Sequence, residues 1–371
     1  MTGATDVDGT LIISTGTYNA DGATDIDGTL SITGTGVYDA DNTFTAASGN
    51  VTFTGAGFLR CNNTVTDLGT LSTGAGTVEY DGGAQDVFAD DYYNLEIDQA
   101  GTKTAQGAVN VNGTMTVQST GTPVYDVAAT TTTVTGTSTI AGTLNINGSG
   151  VYDGNGDFAA SGAITMSGTA RLQLSAANSG VSSLGNLTSS AGTVEYDGGT
   201  QNVLADVYNN LEIDQAGTKT AQGAVTVNGT MTVQSTGTPV YDVAATTTTV
   251  TGTSTIAGTL NINGSGVYDG NGDFAASGAI TMDGTARLQL SAAGSGVSNL
   301  GTLDNAAGTV EYDGGAQNVL VDAYFNLEID QSGIKTAQGL VTVAGTLIVQ
   351  SSASYDIAAT TTRVQGQTDI N

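Results

Sequence analysis

Two strings in this chain recur at a single spacing. VEYDGG begins at Val78, Val194 and Val310, NLEIDQ begins at Asn94, Asn210 and Asn326, and both steps are 116 residues. Residues 94–166 and 210–282 differ at one position, where Asn110 becomes Thr226. A tandem array constrains the fold more than length does, because each unit must bury its apolar face against a copy of itself. The boundaries read as a partial unit over 1–77, whole units over 78–193 and 194–309, and a partial unit over 310–371.

A shorter rhythm runs inside the long one. An aliphatic residue, Gly-Thr, Leu or Met, and a second aliphatic, followed by Tyr and an acid or Asn, recur with Tyr18, Tyr38, Tyr125, Tyr152, Tyr241, Tyr268 and Tyr355. Anchors at Val78, Leu95, Met115, Leu144 and Ala170 lead to Val194 in steps of 17, 20, 29, 26 and 24. Val78-Glu79-Tyr80, Leu95-Glu96-Ile97 and Leu144-Asn145-Ile146 alternate apolar with polar, the period of a half-buried strand. Gly-Thr, Asn-Gly and Asp-Gly punctuate the runs as turns, and no stretch holds a helical period. A unit of about 23 residues with several strands is one coil of a solenoid. The expected fold is therefore all-β: a parallel β-helix (β-solenoid) continuous over 1–371, about 16 coils at ~4.8 Å each, and roughly 75–80 Å long. Three tandem immunoglobulin-like sandwiches are the rival. Equivalent short repeats and the lack of a linker between units speak against them.

Composition narrows function. The chain carries 7 Lys and Arg against 35 Asp and Glu, a formal charge of −28, with one Cys and no His. Such acidity gives no attraction to nucleic acid phosphates or anionic lipid. The absence of His removes Ser-His-Asp and Cys-His nucleophiles, and one Cys makes no disulfide framework. No apolar run approaches the ~18–20 residues of a membrane helix. The opening MTGATDVDGT has neither a basic nor an apolar export region. Nearly every acid has a copy 116 residues away, as Glu79 does in Glu195 and Glu311. The expectation is a scaffold, not an enzyme, with no catalytic residue and no certain cofactor.

Three patterns are candidate sites. Tyr125-Asp126 and Tyr152-Asp153 are expected on consecutive coils, stacking Tyr on Tyr and placing Asp126 by Asp153, with Asp242 by Asp269 in the copy. Stacked carboxylates repel, which makes them candidate cation ligands. Asp153-Gly-Asn155-Gly-Asp157 and Asp269-Gly-Asn271-Gly-Asp273 offer alternating oxygens suited to Ca²⁺. Phe158 and Ile164 stand where a helix-loop-helix calcium site has Gly and Glu, and a plain turn without metal is the alternative. Thr131, Thr133, Thr135, Thr137 and Thr139 form an outward row with a copy near Thr247, too sparse along the chain for an ice-binding face. Cys61 aligns with Leu174 and Leu290 and reads as a small buried hydrophobe. Lys103, Lys219 and Lys335, with Arg171 and Arg287, read as relief of local acidity.

The segment GTVEYDGGAQ…YNNLEIDQAGTKTAQGAVTVNGTMTV resembles the β-strand repeats of very large secreted bacterial surface proteins. The resemblance spans the whole chain and implies an extracellular, cell-surface adhesin or fibre component without catalytic residues. The last residues, Thr368-Asp369-Ile370-Asn371, are in phase with Thr24-Asp25-Ile26-Asp27. That phase is expected of end-to-end self-association or of continuation into a longer chain. The functional expectation is a structural stalk or fibre segment. Its alternative is a calcium- or glycan-binding adhesive module using the outward Asp and Thr rows.

Overall fold

The computed structural model describes residues 3–72 and 74–371. They form two compact units, Met1–Ala176 with Gly180–Gly192, and Ala177–Ser179 with Thr193–Asn371. Both are parallel β-solenoids, about 18 turns in all, and no helix occurs among the described residues. A turn holds three short strands on three faces. In the first unit Thr77–Tyr80, Gln85–Val87 and Asp91–Tyr92 make one turn, and Asn94–Ile97, Gly101–Ala105 and Val109–Val111 make the next. Each strand pairs in parallel with its successor on the same face: Val78 on Leu95, Lys103 on Tyr125, Val109 on Thr132.

The alternation in sequence decides what is buried. Leu95 and Ile97 point in while Asn94 and Glu96 lie half-exposed, and Leu144 and Ile146 repeat the pattern. Each such aliphatic contributes about 1.5–3 kcal/mol on burial. Tyrosines fill the interior as well, and a buried phenol needs a partner. Tyr125 Oη meets Thr132 Oγ1 at 2.7 Å, Tyr152 Oη donates to Ser138 Oγ at 2.9 Å, and Tyr80 and Tyr92 pair at 3.1 Å. At the corners successive turns nearly touch. A Cβ on Gly162 would lie 1.8 Å from the Gly142 carbonyl oxygen, so only glycine fits there. Cys61 is buried beside Tyr80 and Ala40 in the strand ladder, as the alignment with Leu174 predicts.

The coil spacing is shorter than the sequence anchors imply. Val78 pairs with Leu95 and Leu95 with Met115, but Met115 then pairs with Ser138. Leu144 sits on the next face, paired with Tyr125 and Ile164. Gly-Thr-Leu marks more than one corner of the coil, so the 29-residue step from Met115 to Leu144 exceeds a full turn. Hence about 18 turns replace the expected 16.

The long repeat and the turn are incommensurate. In the second unit the strand Thr193–Tyr196 heads a ladder through Asn210–Ile213, Met231–Val233, Ser254–Ile256, Phe274–Met282 and Val297–Asn305, five turns on. Its copy Thr309–Tyr312 does not continue that ladder. It pairs with Arg287–Leu290, which lies on the third face above Val267–Gly270 and Thr247–Val250. One 116-residue repeat is thus five and two-thirds turns, and copies fall on different faces. The first unit agrees: Phe58–Cys61 lies on the first face against Thr77–Tyr80, while its sequence counterpart Arg171–Leu174 lies on the third against Val151–Gly154.

Candidate functional site

The densest charge in each repeat arises where VEYD stacks one turn below LEID. Residues two apart in a strand share a face, so Glu79 and Asp81 project together, and the next turn sets Glu96 on Glu79. Asp98 follows above Asp81, its N–H donating to the Tyr80 carbonyl at 3.0 Å. Four carboxylates therefore form a square on two adjacent turns. Glu311, Asp313, Glu328 and Asp330 form another, with Glu311 on Glu328 and Asp330 N–H on the Tyr312 carbonyl at 3.0 Å. Glu195 on Glu212, with Asp197 and Asp214, is the third.

Cations flank the squares. Arg60 Nε donates to Glu79 Oε2 at 2.8 Å. Arg287 Nη2 reaches Glu311 Oε2 at 2.5 Å and Glu328 Oε2 at 2.7 Å, and Gln289 Nε2 adds a bond to Glu311 Oε2 at 2.8 Å. Behind each aspartate pair lies a lysine that faces into the coil. Lys103, Lys219 and Lys335 are all buried. Lys103 Nζ donates to the carbonyls of Asp98 at 2.5 Å and Gln99 at 2.8 Å, and Lys335 Nζ to those of Asp330 and Gln331. These carbonyls turn inward because Gln99, Gln215 and Gln331 adopt φ of 55–58°, the left-handed region. Burial lowers the Lys219 pKa to about 8, opposed by Asp197 and Asp214.

The same electrostatics act on the acids. Burial, opposed by Arg60 and reinforced by Glu96 and Asp81, raises the Glu79 carboxyl to about 7. Burial also raises Asp81, with Asp39 and Asp98 adding to it and Arg60 opposing. Asp81 Oδ1 is buried and has no hydrogen-bond partner. Among the described residues, Glu311, Glu328 and Asp330 bring carboxylate oxygens within 4.8 Å of one another, the arrangement most suited to a hard cation.

The residues singled out from sequence lie elsewhere. Asp126 and Asp153 are not neighbours: Asp126 stands between Thr104 and Asn145 on the second face, Asp153 between Thr133 and Gln173 on the third. Their copies separate likewise, Asp242 between Thr220 and Asn261, Asp269 between Thr249 and Gln289. The expected Tyr125–Tyr152 stack is absent for the same reason, because the two Tyr-Asp pairs lie on successive turns but in strands of different faces. Among the described residues the stacked tyrosine pair is Tyr18 on Tyr38, with centroids 5.3 Å apart. Asp126 Oδ1 accepts from Asn145 Nδ2 at 2.9 Å and Asn147 Nδ2 at 2.8 Å, so amides hold that carboxylate. Asn261 and Asn263 do the same for Asp242.

The Asp-Gly-Asn-Gly-Asp runs form corners. Asn155 N–H donates to Val134 O and the Asp157 carbonyl accepts from Ser138 N–H, both at 2.8 Å, and Asn271 and Asp273 repeat this with Val250 and Ser254. Asn155 and Asp157 are exposed while Asp153 is half-buried. Burial raises the Asp269 carboxyl, opposed by a hydrogen bond from Asn271. Thr131, Thr135, Thr137 and Thr139 are exposed and Thr133 half-buried, on the outward side expected.

Two groups escaped the sequence reading. The lysines are interior braces, not only surface counter-charges. Gln85 and Gln317 are buried, each Oε1 accepting from the Gly three residues before it at 2.8 Å. Each Nε2 bridges two carbonyls of the previous turn at 2.7–2.8 Å. The available signal was recurrence at steps of 116 on an inward parity, Lys103, Lys219 and Lys335 for one group and Gln85, Gln201 and Gln317 for the other. Comparison of the chain with family models, curated proteins and solved structures finds no match.

Proposed function

We propose that this chain is a structural, non-enzymatic segment of a stalk or fibre in a bacterial cell-surface or extracellular protein of the adhesin type. The observation that carries this reading is the five-and-two-thirds-turn repeat. Within the second unit Glu195 and Glu311 stand on different faces, so duplication builds no continuous row of like residues on one side. A flat binding face or ice-binding plane needs such a row. The polar groups of each repeat are instead committed inward, Lys103 and Gln85 to carbonyls of their own and the preceding turn. The spread acidity keeps such a body soluble, and the resemblance to bacterial surface repeats supplies the extracellular setting. The partner that a turn of this make fits is another such turn, Thr on Thr and Asp on Asp as in Thr5–Thr24 and Asp6–Asp25, within a longer chain or from a second copy.

A second reading, a calcium-dependent binding module, is favoured by the convergence of Glu311, Glu328 and Asp330. Titration calorimetry with Ca²⁺, followed by glycan-array binding with and without chelator, separates the two. The structural reading expects no saturable calcium heat, no glycan captured and no change of melting temperature with chelator. Calcium heat that disappears in Glu328→Gln would replace it with the second reading.

A further inference from the structure

The sequence holds six Asn-Gly pairs, at Asn112, Asn147, Asn155, Asn228, Asn263 and Asn271. We propose that two of them, Asn155–Gly156 and Asn271–Gly272, are sites of spontaneous conversion of asparagine to aspartate and isoaspartate, and that the fold protects the other four. In this reaction the backbone nitrogen of the glycine attacks Cγ of the asparagine. A C–N bond closes a five-membered succinimide, the Cγ–Nδ2 bond breaks, and ammonia leaves carrying the glycine N–H proton. Water then opens either carbonyl of the ring, giving aspartate or its isoaspartyl isomer. The glycine nitrogen must be free and the carboxamide able to swing onto it.

The six pairs differ in both respects. Gly113 N–H donates to the Tyr93 carbonyl and Gly229 N–H to the Asn209 carbonyl, both at 2.7 Å, so those nitrogens are engaged. Asn147 is held through its carboxamide: Nδ2 donates to Asp126 Oδ1 at 2.8 Å and Oδ1 accepts from Ser167 Oγ at 2.9 Å. At Asn263 both controls act, Nδ2 on Asp242 Oδ1 and Gly264 N–H on Asp283 Oδ1, each at 2.9 Å. Among the described residues no group accepts from the N–H of Gly156 or Gly272, and Asn155 and Asn271 are exposed. Asn271 also donates to Asp269, a contact at the exposed corner that leaves the Gly272 N–H unengaged.

The fold also keeps the reactive neighbour in place. A Cβ on Gly156 would lie 2.1 Å from the Gly136 carbonyl oxygen, and one on Gly272 2.2 Å from that of Gly252. The close approach of successive turns therefore demands the very glycine that exposes the asparagine to attack. Conversion adds a third carboxylate to Asp153-Gly-Asn155-Gly-Asp157, and conversion at both sites takes the formal charge from −28 to −30.

Tryptic digestion provides internal controls. Thr104–Arg171 contains Asn112, Asn147 and Asn155, and Thr220–Arg287 contains the equivalent three, the two peptides differing at Asn110 against Thr226 and at Ser167 against Asp283. The folded chain is incubated at mildly alkaline pH and mapped by mass spectrometry with isoaspartate detection. Asn155 should convert about tenfold faster than Asn112 and Asn147, the protection one retained hydrogen bond gives, and Asn271 should likewise outpace Asn228 and Asn263. In denaturant all six rates should converge. Equal rates in the folded chain, conversion led by Asn112 or Asn228, or a ranking that persists in denaturant would each overturn the proposal. Asn155→Gln, an exposed change outside the ladder, should lose the signal at that site alone.

Discussion

The squares around Glu79 and Glu311 have the same four carboxylates on the same two-turn geometry, yet different donors serve them. At both, a glutamine of the next turn donates to the upper glutamate, Gln118 to Glu96 at 2.6 Å and Gln350 to Glu328 at 2.7 Å; at the first, Arg60 bonds Glu79 and Asp81 Oδ1 has no partner. At the second, Arg287 spans both glutamates and Gln289 doubles the contact to Glu311, while Ser291 Oγ donates to Asp313 at 2.6 Å. The ladder explains the exchange. Arg60 and Gln289 occupy equivalent rungs, directly before the glutamate, whereas Arg287 starts two residues earlier in its strand and reaches diagonally. A displacement of two residues along the strand converts a pairwise contact into a bridge. An acidic cluster is therefore defined as much by its neighbours' register as by its own residues.

The part common to both squares should show the largest effect. Lys103→Met and Lys335→Met each leave inward carbonyls without their donor, so each should cost about 3 kcal/mol in urea denaturation. Equal losses confirm the shared brace, and a loss in only one would break the equivalence of the two regions. Next, Arg287→Ala should cost about 2–3 kcal/mol and Arg60→Ala about 1–2, since the change takes the cationic partner from one buried carboxylate at the first site and from two at the second. A larger loss at Arg60 would refute the bridging account.

The acid response of the first square should be smaller and of unusual sign. Glu79 has a folded pKa of about 7 against an ordinary value of 4.5, so the folded state binds this proton more tightly than the unfolded chain does. Its contribution to stability should therefore rise as pH falls from above 7 to about 4.5 and level off below. Denaturation midpoints across that window should lose this slope in Glu79→Gln. Smallest of all, Asp81→Asn removes a charge beside Asp39 and Asp98 and should leave stability unchanged or raise it by up to about 1 kcal/mol. A clear destabilisation would mean that the unpartnered oxygen is a needed acceptor.

Fold class was legible because alternation and repetition are local signals: Leu95-Glu96-Ile97 announces both a strand and its inward side. Face assignment was not. Nothing in Tyr125-Asp126 and Tyr152-Asp153 shows that one pair lies on the second face and the other on the third, because that depends on the residues spent at each corner. The carboxylate squares were half legible. Glu79-Tyr80-Asp81 and Glu96-Ile97-Asp98 stand 17 residues apart in sequence, but only the turn length makes them neighbours. The lysine brace was hidden by its charge, since an inward-facing ammonium depends on carbonyls aimed by a left-handed Gln99.

The fractional turn count has a consequence for how such a chain changes over time. Each duplicated unit starts two-thirds of a turn round from the last, like a screw with its thread mark displaced at every pitch. A substitution fixed in a founding unit and copied onward is thus dealt to successive sides in rotation and returns to its first side only with the third copy. Lengthening by duplication averages the surface chemistry around the axis, so a sticky or strongly charged mutation is diluted over the circumference instead of being drawn into a stripe.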